Sequence, residues 1–358
     1  MADPEVTVLI PAYNASEFID CSITSVLNQS FEDYELLIID DGSTDNTVEI
    51  IQEFNDSRIK VLSNQSNFGL ARSLNIGLQN SKGTFIARLD SDDICYPSRL
   101  EEQINVMKNY ENIGLVTCGT EVIDEKGNSK GHSRWFFQPE EYYYILKFRN
   151  CLTHSSVLFR KDLVKEIGGY DENMMAEDYH LWARLVNISK IFQIRKSLVK
   201  WRQFPRSKSA NEESDLDTAA HEIGQQIIRS FAGKEVSVST IKILSDSRTI
   251  RLVKDKSVKR FMNEFVEIIQ IIIEKTPSFY HKTALKKYLN IEISKYNYIL
   301  SALGYKMSWN RWRIKSREDF LGFIFSRRRC PALYTKSRLV SRLINNTISD
   351  KLIRDCHF

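Results

Sequence analysis

The sequence has no run of about 18 uncharged apolar residues, the length at which a membrane-spanning helix is expected. Its longest apolar stretches, 265–273 and 320–325, are too short or contain Glu and Gln. Residues 1–10 lack the basic start and apolar core of a secretory signal peptide. The six cysteines show neither CxxC nor zinc-ligand spacing, which favours reduced thiols. We therefore expect a cytoplasmic protein without a membrane span or a structural zinc.

The net charge of +4 is unevenly distributed. Residues 301–358 contain 13 Lys and Arg but only 4 Asp and Glu, a local net charge of +9, so residues 1–300 sum to about −5. Basic character confined to one end does not indicate a nucleic-acid-binding main domain, and we expect no nucleic-acid partner. A chain of 358 residues has room for roughly two domains.

Strand and helix signals alternate through the first 90 residues. Short apolar strands are predicted at 6–10, 35–39, 58–62 and 84–89, with helical periodicity between them. This alternation predicts an α/β fold with a Rossmann-like, mainly parallel mixed sheet flanked by helices. No GxGxxG loop follows the first strand, so a dinucleotide site is not expected.

The pattern becomes mixed over about 113–212 and mostly helical from 213 onward. The polar segment 207–217 is the predicted boundary between a domain over 1–212 and a helical, basic C-terminal region over 213–358. Aromatic and apolar residues alternate with Lys and Arg over 309–354. This composition suits a peripheral contact with an anionic membrane, and the alternative is an ordinary helical extension that packs or oligomerises.

Acidic residues follow directly after the strand predicted at 84–89, in the segment Asp90-Ser91-Asp92-Asp93. Ligands of open α/β sheets bind outside the carboxyl ends of the strands. Carboxylates there suit Mg²⁺ or Mn²⁺, and a metal so held can neutralise a diphosphate. A solvated turn is the structural alternative. An EF-hand loop is a poor one, because Ile94 stands at a ligand position and no Gly follows.

Six motifs in chain order resemble the glycosyltransferase family 2 pattern over about residues 5–210. They are Pro11-Ala12-Tyr13-Asn14, 25–30, 38–45, 67–72, Asp90-Ser91-Asp92 and 177–182. The resemblance implies a GT-A fold and an inverting, metal-dependent transfer of a sugar from a nucleotide donor. A UDP-sugar carrying a hexose or N-acetylhexosamine is the expected donor. A glycan or lipid-linked intermediate of a surface polysaccharide such as lipopolysaccharide is the expected acceptor.

The resemblance also implies the donor-binding residues. Loop backbone of Pro11, Ala12, Tyr13 and Asn14 would hold the base or ribose, and the alternative is a turn started by proline. Asp41 would accept a hydrogen bond from the uracil N–H, with Asp40 as its competitor and a helix cap as the alternative. The remaining donor-binding residues would be Arg72, Asp90 and Ser91. Arg72 would pair with phosphate or with the carboxylates, and a surface ion pair is the structural alternative.

For the metal, Mn²⁺ or Mg²⁺, the resemblance makes Asp92 the most direct ligand. Asp90 would orient the ribose or a metal-bound water, and Asp93 would assist. One departure concerns Phe204, which stands where relatives often carry a histidine that can bind the metal. The metal would then lose one protein ligand, and Arg202 and Arg206 could neutralise part of the diphosphate instead.

Asp178 is the predicted general base, at the start of a helix that would aim it into the cleft; the alternative is a helix N-terminal charge favoured by the macrodipole. Glu177, His154, Trp182 and Arg202 are expected to contact the acceptor or support the residues that do, although His154 could equally be structural. Two other functions are considered. A nucleotidyltransferase should show a Gly- and Lys/Arg-rich phosphate loop after strand one, and a non-catalytic sugar-nucleotide-binding scaffold would not need Asp178.

Overall fold

A computed structural model of the chain describes residues 3–133, 136–204, 213–246 and 255–302. The strands in this part are β1 Val6–Ala12, β2 Tyr34–Asp40, β3 Ile59–Ser63, β4 Phe85–Arg88, β5 Ile94–Cys95, β6 Ile113–Ile123, β7 Ser129–His132, β8 Leu158–Arg160 and β9 Lys190–Arg202. The helices are α1 Ile19–Leu27, α2 Thr47–Gln52, α3 Leu70–Asn80, α4 Arg99–Asn109, α5 Pro139–Ile145, α6 Lys161–Glu166, α7 Glu177–Leu185, α8 Glu213–Ala232, α9 Val238–Ser245, α10 Asp255–Glu274 and α11 Lys282–Ala302.

The nine described strands form one mixed sheet in the order β3-β2-β1-β4-β8-β6-β9-β5, with β7 paired to β6. Strands β1 to β4 run parallel, β8 is antiparallel to both of its neighbours, and β6 and β9 return to the first direction. Six of the nine strands therefore share one direction, which confirms the predicted α/β class with a mainly parallel mixed sheet.

Strand β1 runs through Pro11 to Ala12, two residues further than the sequence predicted. Proline lacks the N–H that a strand needs for its ladder, so it is normally confined to edges and strand ends. The carbonyl oxygen of Leu9 accepts the N–H of Leu89, so the backbone polar groups of Leu9 point toward β4. Every second residue of a strand points its backbone groups to the same side, so the backbone nitrogen of Pro11 also faces β4. Pairing with β4 ends at Leu9, and the missing N–H therefore costs no ladder hydrogen bond.

The short strand β5, which the sequence analysis did not predict, lies directly after the acidic segment. It pairs antiparallel with β9 through Ile94 with Lys200 and Cys95 with Val199. The long strand β9 runs parallel to β6 along most of the length of β6. Because β5 lies against β9, the end of β9 at Arg202 comes next to the acidic segment. The site described below depends on this pairing.

The segment between α10 and α11 packs on the sheet domain. The Tyr280 hydroxyl donates to the carbonyls of Val186 at 2.9 Å and Ser189 at 3.0 Å. The Tyr143 hydroxyl donates to the carbonyl of Lys275 at 3.1 Å. A first compact unit spans residues 1–288 and a second begins at Leu289. The domain boundary at 212/213 stays a prediction.

Among the residues that the structure describes, no helix combines the length and the apolar character needed to cross a bilayer. The basic and aromatic segment over 309–354, for which a membrane contact is predicted, lies outside the described residues.

Candidate active site

Three carboxylates gather at the carboxyl end of β4. One carboxylate oxygen from each of Asp90, Asp92 and Asp93 lies within 4.8 Å of those from the other two. The backbone of this segment is supported from α1, where the buried Ser22 hydroxyl lies 2.8 Å from the Ser91 carbonyl oxygen and 2.7 Å from that of Asp93. The predicted clustering of these three aspartates is therefore what the fold produces, and Ser91 contributes through its backbone.

Asp90 is oriented by two neighbours beneath it. Its carboxylate pairs with the guanidinium of Arg88, a residue only 1% exposed in strand β4. Its other oxygen accepts the Ser155 hydroxyl at 2.7 Å, and Ser155 Oγ accepts the Asp90 backbone N–H at 3.0 Å. Burial lowers the pKa of Arg88, but the neighbouring Asp90 carboxylate outweighs burial and raises it, so Arg88 stays charged. The contacts with Arg88 and Ser155 hold the Asp90 carboxylate in one orientation.

Asp92 and Asp93 lie where burial and neighbouring carboxylates disfavour their charged forms. Burial and the charge of Asp90 raise the pKa of Asp92 to about 7. Burial together with Asp90 and Asp92 raises the pKa of the fully buried Asp93 far above its usual range. Asp93 Oδ1 accepts the backbone N–H of Arg202 at 2.7 Å, while Oδ2 has no hydrogen-bond partner in the described part of the chain.

These observations test whether a divalent cation suits the site. A buried carboxylate oxygen without a partner is costly, and three carboxylates at this spacing repel one another. A cation bound by them would relieve both, and carboxylate oxygens are the ligands that Mg²⁺ and Mn²⁺ prefer. The donor set therefore fits the predicted metal.

Arg202 supports the acidic segment from β9. Its Nε donates to the Asp92 carbonyl at 2.8 Å, its Nη1 donates to the carbonyls of Asp124 and Glu125, and its guanidinium stacks on the Phe18 ring at 4.4 Å. Arg202 is thus anchored to backbone oxygens of two loops, a supporting position rather than one that reaches into open space. Phe204 packs on Phe18 with ring centres 5.3 Å apart, and Arg206 lies outside the described residues.

The carboxyl ends of β1, β2 and β3 meet at a second group of loops. Asp41 is buried, and its oxygens accept the N–H groups of Phe68 at 2.8 Å and Gly69 at 2.9 Å and the amide of Asn64 at 2.8 Å. Asn14 adopts a left-handed backbone with φ of 48°, and its side chain accepts the Thr44 N–H at 2.8 Å. Asp41 and Asn14 therefore tie three loops into one rigid edge.

The other predicted donor residues lie along the same edge. Pro11 and Ala12 are buried strand residues rather than loop residues, so the predicted loop begins at Tyr13, whose side chain is 47% exposed. The exposed Arg72 stacks its guanidinium on the Phe68 ring at 4.2 Å, and no contact between Arg72 and the carboxylate cluster is seen among the described residues.

Asp178 is the second residue of α7 and is partly buried. Its Oδ2 accepts the Asn150 amide at 2.8 Å, and its Oδ1 accepts the Tyr179 backbone N–H at 2.6 Å. Burial raises the pKa of Asp178; the two hydrogen bonds and Arg88 work against this rise, and the charge of Asp90 adds to it. The charges of Arg88 and Asp90 therefore both act on the pKa of Asp178, which lies in the same electrostatic environment as this pair.

The remaining predicted residues, His154, Glu177 and Trp182, lie beneath the surface next to Asp178. His154 Nε2 lies 2.9 Å from the Tyr170 hydroxyl, and its Nδ1 lies 3.9 Å from Glu177. Burial, and to a lesser degree Arg88, holds the pKa of His154 well below its usual value, so the imidazole is neutral. Trp182 is completely buried and packs edge-on against His154, which places it behind the site and out of reach of an acceptor.

Four residues that position the carboxylates were not identified from the sequence: Ser22, Arg88, Asn150 and Ser155. Arg88 had a usable signal, because a charged residue inside an otherwise apolar central strand needs a partner. Ser155 directly follows His154, which is one of the predicted site residues. Nothing in the sequence pairs Ser22 with residues about 70 positions away, or Asn150 with Asp178.

Comparison with known proteins agrees with this geometry. Residues 7–168 match the family model described as "Glycosyl transferase family 2". An uncharacterized glycosyltransferase of Haemophilus influenzae is 30% identical over 243 residues, which cover 64% of this chain and 75% of the relative. Escherichia coli WfgD, named as a UDP-Glc:alpha-D-GlcNAc-diphosphoundecaprenol beta-1,3-glucosyltransferase, is 36% identical over 220 residues, covering 60% of this chain and 84% of WfgD.

Among solved structures, S. aureus TarS 1–349 in complex with UDP-GlcNAc superimposes with a TM-score of 0.54 at 18% identity, covering 76% of this chain and 82% of TarS. At that identity the likeness concerns the fold, and it confirms the GT-A architecture. The two named alternatives, a nucleotidyltransferase and a non-catalytic scaffold, find no counterpart in these relatives. The chain belongs to glycosyltransferase family 2, and the protein is a glycosyltransferase.

Proposed function

We propose that this enzyme transfers a hexosyl or N-acetylhexosaminyl group from a UDP-sugar, with inversion, to a glycan or lipid-linked acceptor of surface polysaccharide synthesis. The observation that carries the proposal is the placement of the Asp90–Asp93 carboxylates and Asp178 in one electrostatic environment at the carboxyl edge of the sheet. The carboxylates of Asp90, Asp92 and Asp93 suit a cation with its bound diphosphate, and Asp178 suits an acceptor hydroxyl.

The choice of a uridine nucleotide rests on the edge around Asp41. A carboxylate there accepts hydrogen bonds, which suits the ring N–H of uracil, and the exposed Tyr13 ring offers a stacking surface. Asp41 already accepts three donors, so its role includes shaping the loop over 67–69. Two relatives add support, because WfgD is named for UDP-Glc and TarS was solved with UDP-GlcNAc.

The metal assignment rests on the carboxylate cluster. Asp92, Asp90 and Asp93 would hold Mn²⁺ or Mg²⁺. When bound, the ion supplies positive charge against the negative charge that develops on the departing nucleoside diphosphate. Phe204 adds no ligand, so the protein part of the coordination would consist of carboxylates.

In the proposed reaction Asp178 takes the proton of the acceptor hydroxyl as that oxygen attacks the anomeric carbon. The new C–O bond forms on the face opposite the nucleotide, and the bond between the anomeric carbon and the diphosphate oxygen breaks, so the configuration inverts and the nucleoside diphosphate leaves. Burial raises the pKa of Asp178, and a base whose pKa lies nearer the working pH abstracts a proton more effectively.

The proposed acceptor rests on the name of one relative and on the composition of the C-terminal segment. The name of WfgD specifies a diphosphoundecaprenol-linked acceptor, and the basic, aromatic segment over 301–358 would bring this enzyme to an anionic membrane surface where such lipids lie. A peripheral position on the inner face of the plasma membrane follows from the same proposal.

The experiment that tests the donor and metal is calorimetric titration with UDP, GDP, CDP and TDP, each with and without Mn²⁺. We expect the protein to bind UDP but not GDP, CDP or TDP, and to bind UDP more tightly when Mn²⁺ is present. Tighter binding of another nucleotide would contradict the donor assignment, and equal binding without Mn²⁺ would contradict the metal.

The base is tested by the substitution Asp178→Asn, which keeps the shape of the side chain but removes its basicity. UDP affinity should stay within twofold of the wild type while sugar transfer falls by about 10²-fold or more. Asp162→Asn, at an exposed position on α6, is the matched control and should leave both unchanged. Transfer by Asp178→Asn within a few-fold of wild type would overturn the assignment.

A further inference from the structure

Asn150 lies in the segment between α5 and the 3₁₀ turn at His154–Ser156 and contacts the proposed base. Its Nδ2 donates to Asp178 Oδ2 at 2.8 Å, and its Oδ1 accepts the backbone N–H of Leu152 at 3.1 Å. The second bond fixes which way the amide faces, because an amide oxygen cannot donate. Asn150 can therefore present only its donor to the carboxylate.

Two residues that precede Asn150, Lys147 and Phe148, anchor the segment that carries it. Lys147 is fully buried, donates to Asn187 Oδ1 at 2.6 Å and lies over the Tyr143 and Phe231 rings at 4.4 and 4.5 Å. The Ser245 hydroxyl donates to the Phe148 carbonyl at 2.6 Å. Helices α8 and α9 thus contact this segment through Phe231 and Ser245. Asn187 lies just after the C-terminal end of α7, the helix whose second residue is Asp178.

Without Asn150, the Asp178 carboxylate would keep, among the described residues, only the bond that its Oδ1 accepts from the Tyr179 N–H, and no described donor would contact Oδ2. A carboxylate held at one oxygen can rotate, and small misplacements of a reacting group cost large factors in rate. Arg88, Asp90 and Tyr170 interact electrostatically with Asp178. Cys151 and Arg149 interact with the neighbouring Tyr179, and Glu177, which precedes Asp178, faces His154.

We infer that Asn150 is a positioning residue of the transfer reaction, which directs the Asp178 carboxylate at the acceptor hydroxyl and is held in place by the packing of α8 and α9. This rests on the proposed function, in which Asp178 is the base. Asn150 does not touch the reacting atoms, so its removal should affect turnover and leave donor binding intact.

Two substitutions test the inference through opposite expectations. Asn150→Asp preserves the shape and can still accept the Leu152 N–H, but it turns a carboxylate toward Asp178. Asn150→Ala removes the side chain altogether. If Asn150 acts only as packing, Asn150→Asp should be the milder change. If it positions the base, Asn150→Asp should be the more severe, with transfer falling about 10²-fold against about tenfold for Asn150→Ala.

The assay uses the full chain with Mn²⁺, UDP-glucose and a synthetic GlcNAc-diphosphate lipid, and a second readout needs no acceptor. Carboxyl ¹³C titration, with the Asp178 signal assigned through Asp178→Asn, should show the pKa of Asp178 rising in both Asn150 variants and more in Asn150→Asp. The acid limb of the pH–rate profile should move upward with it. Asn109→Asp, an exposed amide bonded only within α4, is the control and should change neither readout.

The outcomes separate the two levels of the proposal. Activity retained in Asp178→Asn would overturn the proposed base. Loss of activity in Asp178→Asn, combined with an unchanged Asp178 titration and a milder Asn150→Asp, would leave the proposed function standing and overturn the role of Asn150. Weakened UDP binding in both Asn150 variants would also overturn it, because a positioning role for the base does not involve the donor.

Discussion

At the scale of residues, the site depends on carboxylates that are kept in place by neutral or cationic neighbours. Asp90 is paired with Arg88 and Ser155, Asp93 with the backbone of Arg202, and Asp178 with Asn150. Arg88 lies two residues before Asp90, whereas Ser155, Arg202 and Asn150 are distant in sequence from the carboxylates that they contact. A carboxylate that is held by donors on one side keeps its remaining lone pairs directed to the other side.

This arrangement makes Ser155 a testable support of the donor site. Ser155→Ala removes both the hydrogen bond to the Asp90 carboxylate and the acceptor of the Asp90 N–H. A hydrogen bond to a charged group is worth about 1.5–3 kcal/mol, so we expect the Kd for UDP with Mn²⁺ to rise at least about tenfold. Calorimetry measures this directly.

The control for that experiment is Ser98→Ala. Its hydroxyl also donates to a carboxylate, that of Glu102, at 2.9 Å, but outside the cluster. Its UDP affinity should equal that of the wild type. Equal affinities for Ser155→Ala and wild type would mean that Asp90 needs no support from Ser155.

At the scale of elements, the loops after β2 and β3 approach each other through Gly42. This residue has φ of +74°, and a Cβ atom there would lie 2.7 Å from the Ser66 carbonyl carbon. Gly127, in the turn between β6 and β7, has a similar φ of +85° but no atom within 4 Å of a built Cβ. The two glycines therefore separate the cost of backbone conformation from the cost of a close approach.

We predict that Gly127→Ala lowers the free energy of unfolding by only about 1–2 kcal/mol, the cost of a left-handed alanine. Gly42→Ala should cost clearly more, about 3 kcal/mol or above, because backbone rather than a flexible side chain must move. It should also weaken UDP binding. Chemical denaturation and calorimetry on both variants check this, and equal costs would contradict the close approach.

The contact between α5 and α8 should make stability depend on pH. Burial lowers the pKa of Lys147 to about 7, from the 10.5 of a free lysine. Between these pH values the unfolded chain carries a proton that the folded protein does not. The free energy of unfolding should therefore rise with pH from 7 to 10, by up to about 1.4 kcal/mol per unit from this residue.

Lys147→Met should remove that slope, and chemical denaturation at pH 7, 8 and 9 measures it. Lys82→Met, at an exposed position before β4, should keep the wild-type slope. A slope that survives in Lys147→Met would mean that Lys147 stays charged, stabilised by Asn187 and the two rings.

At the scale of the whole molecule, charge is divided between an acidic first 300 residues and a basic remainder with net charge +9. Basic residues near an anionic surface contribute about 1 kcal/mol each. We predict that the full chain sediments with phosphatidylserine-containing vesicles but not with neutral phosphatidylcholine vesicles, and that 0.5 M salt releases it because screening shortens the interaction. A chain ending at residue 302 should remain in the supernatant. Equal binding to neutral vesicles would refute the electrostatic contact.

Much of this organisation was determined by the sequence itself. The alternation of apolar strands with amphipathic helices determined the α/β class, because each period buries one face of one element. The acidic segment after β4 and the start of α7 were recognisable because local patterns place them at strand and helix ends. Local pattern alone was therefore enough to assign residues 90–93 and Asp178 to the ends of these elements.

The tertiary structure alone decided which neighbours these carboxylates have. β5 pairs with β9, which brings Arg202 to Asp93 across 109 positions of sequence, and the loop after α5 brings Asn150 to Asp178. Such pairs leave no periodic signal, since a hydrogen bond between distant residues depends on the whole path of the chain and not on local propensity. The types of chemical group at the site followed from the sequence, whereas their orientation and pKa values were decided by long-range packing.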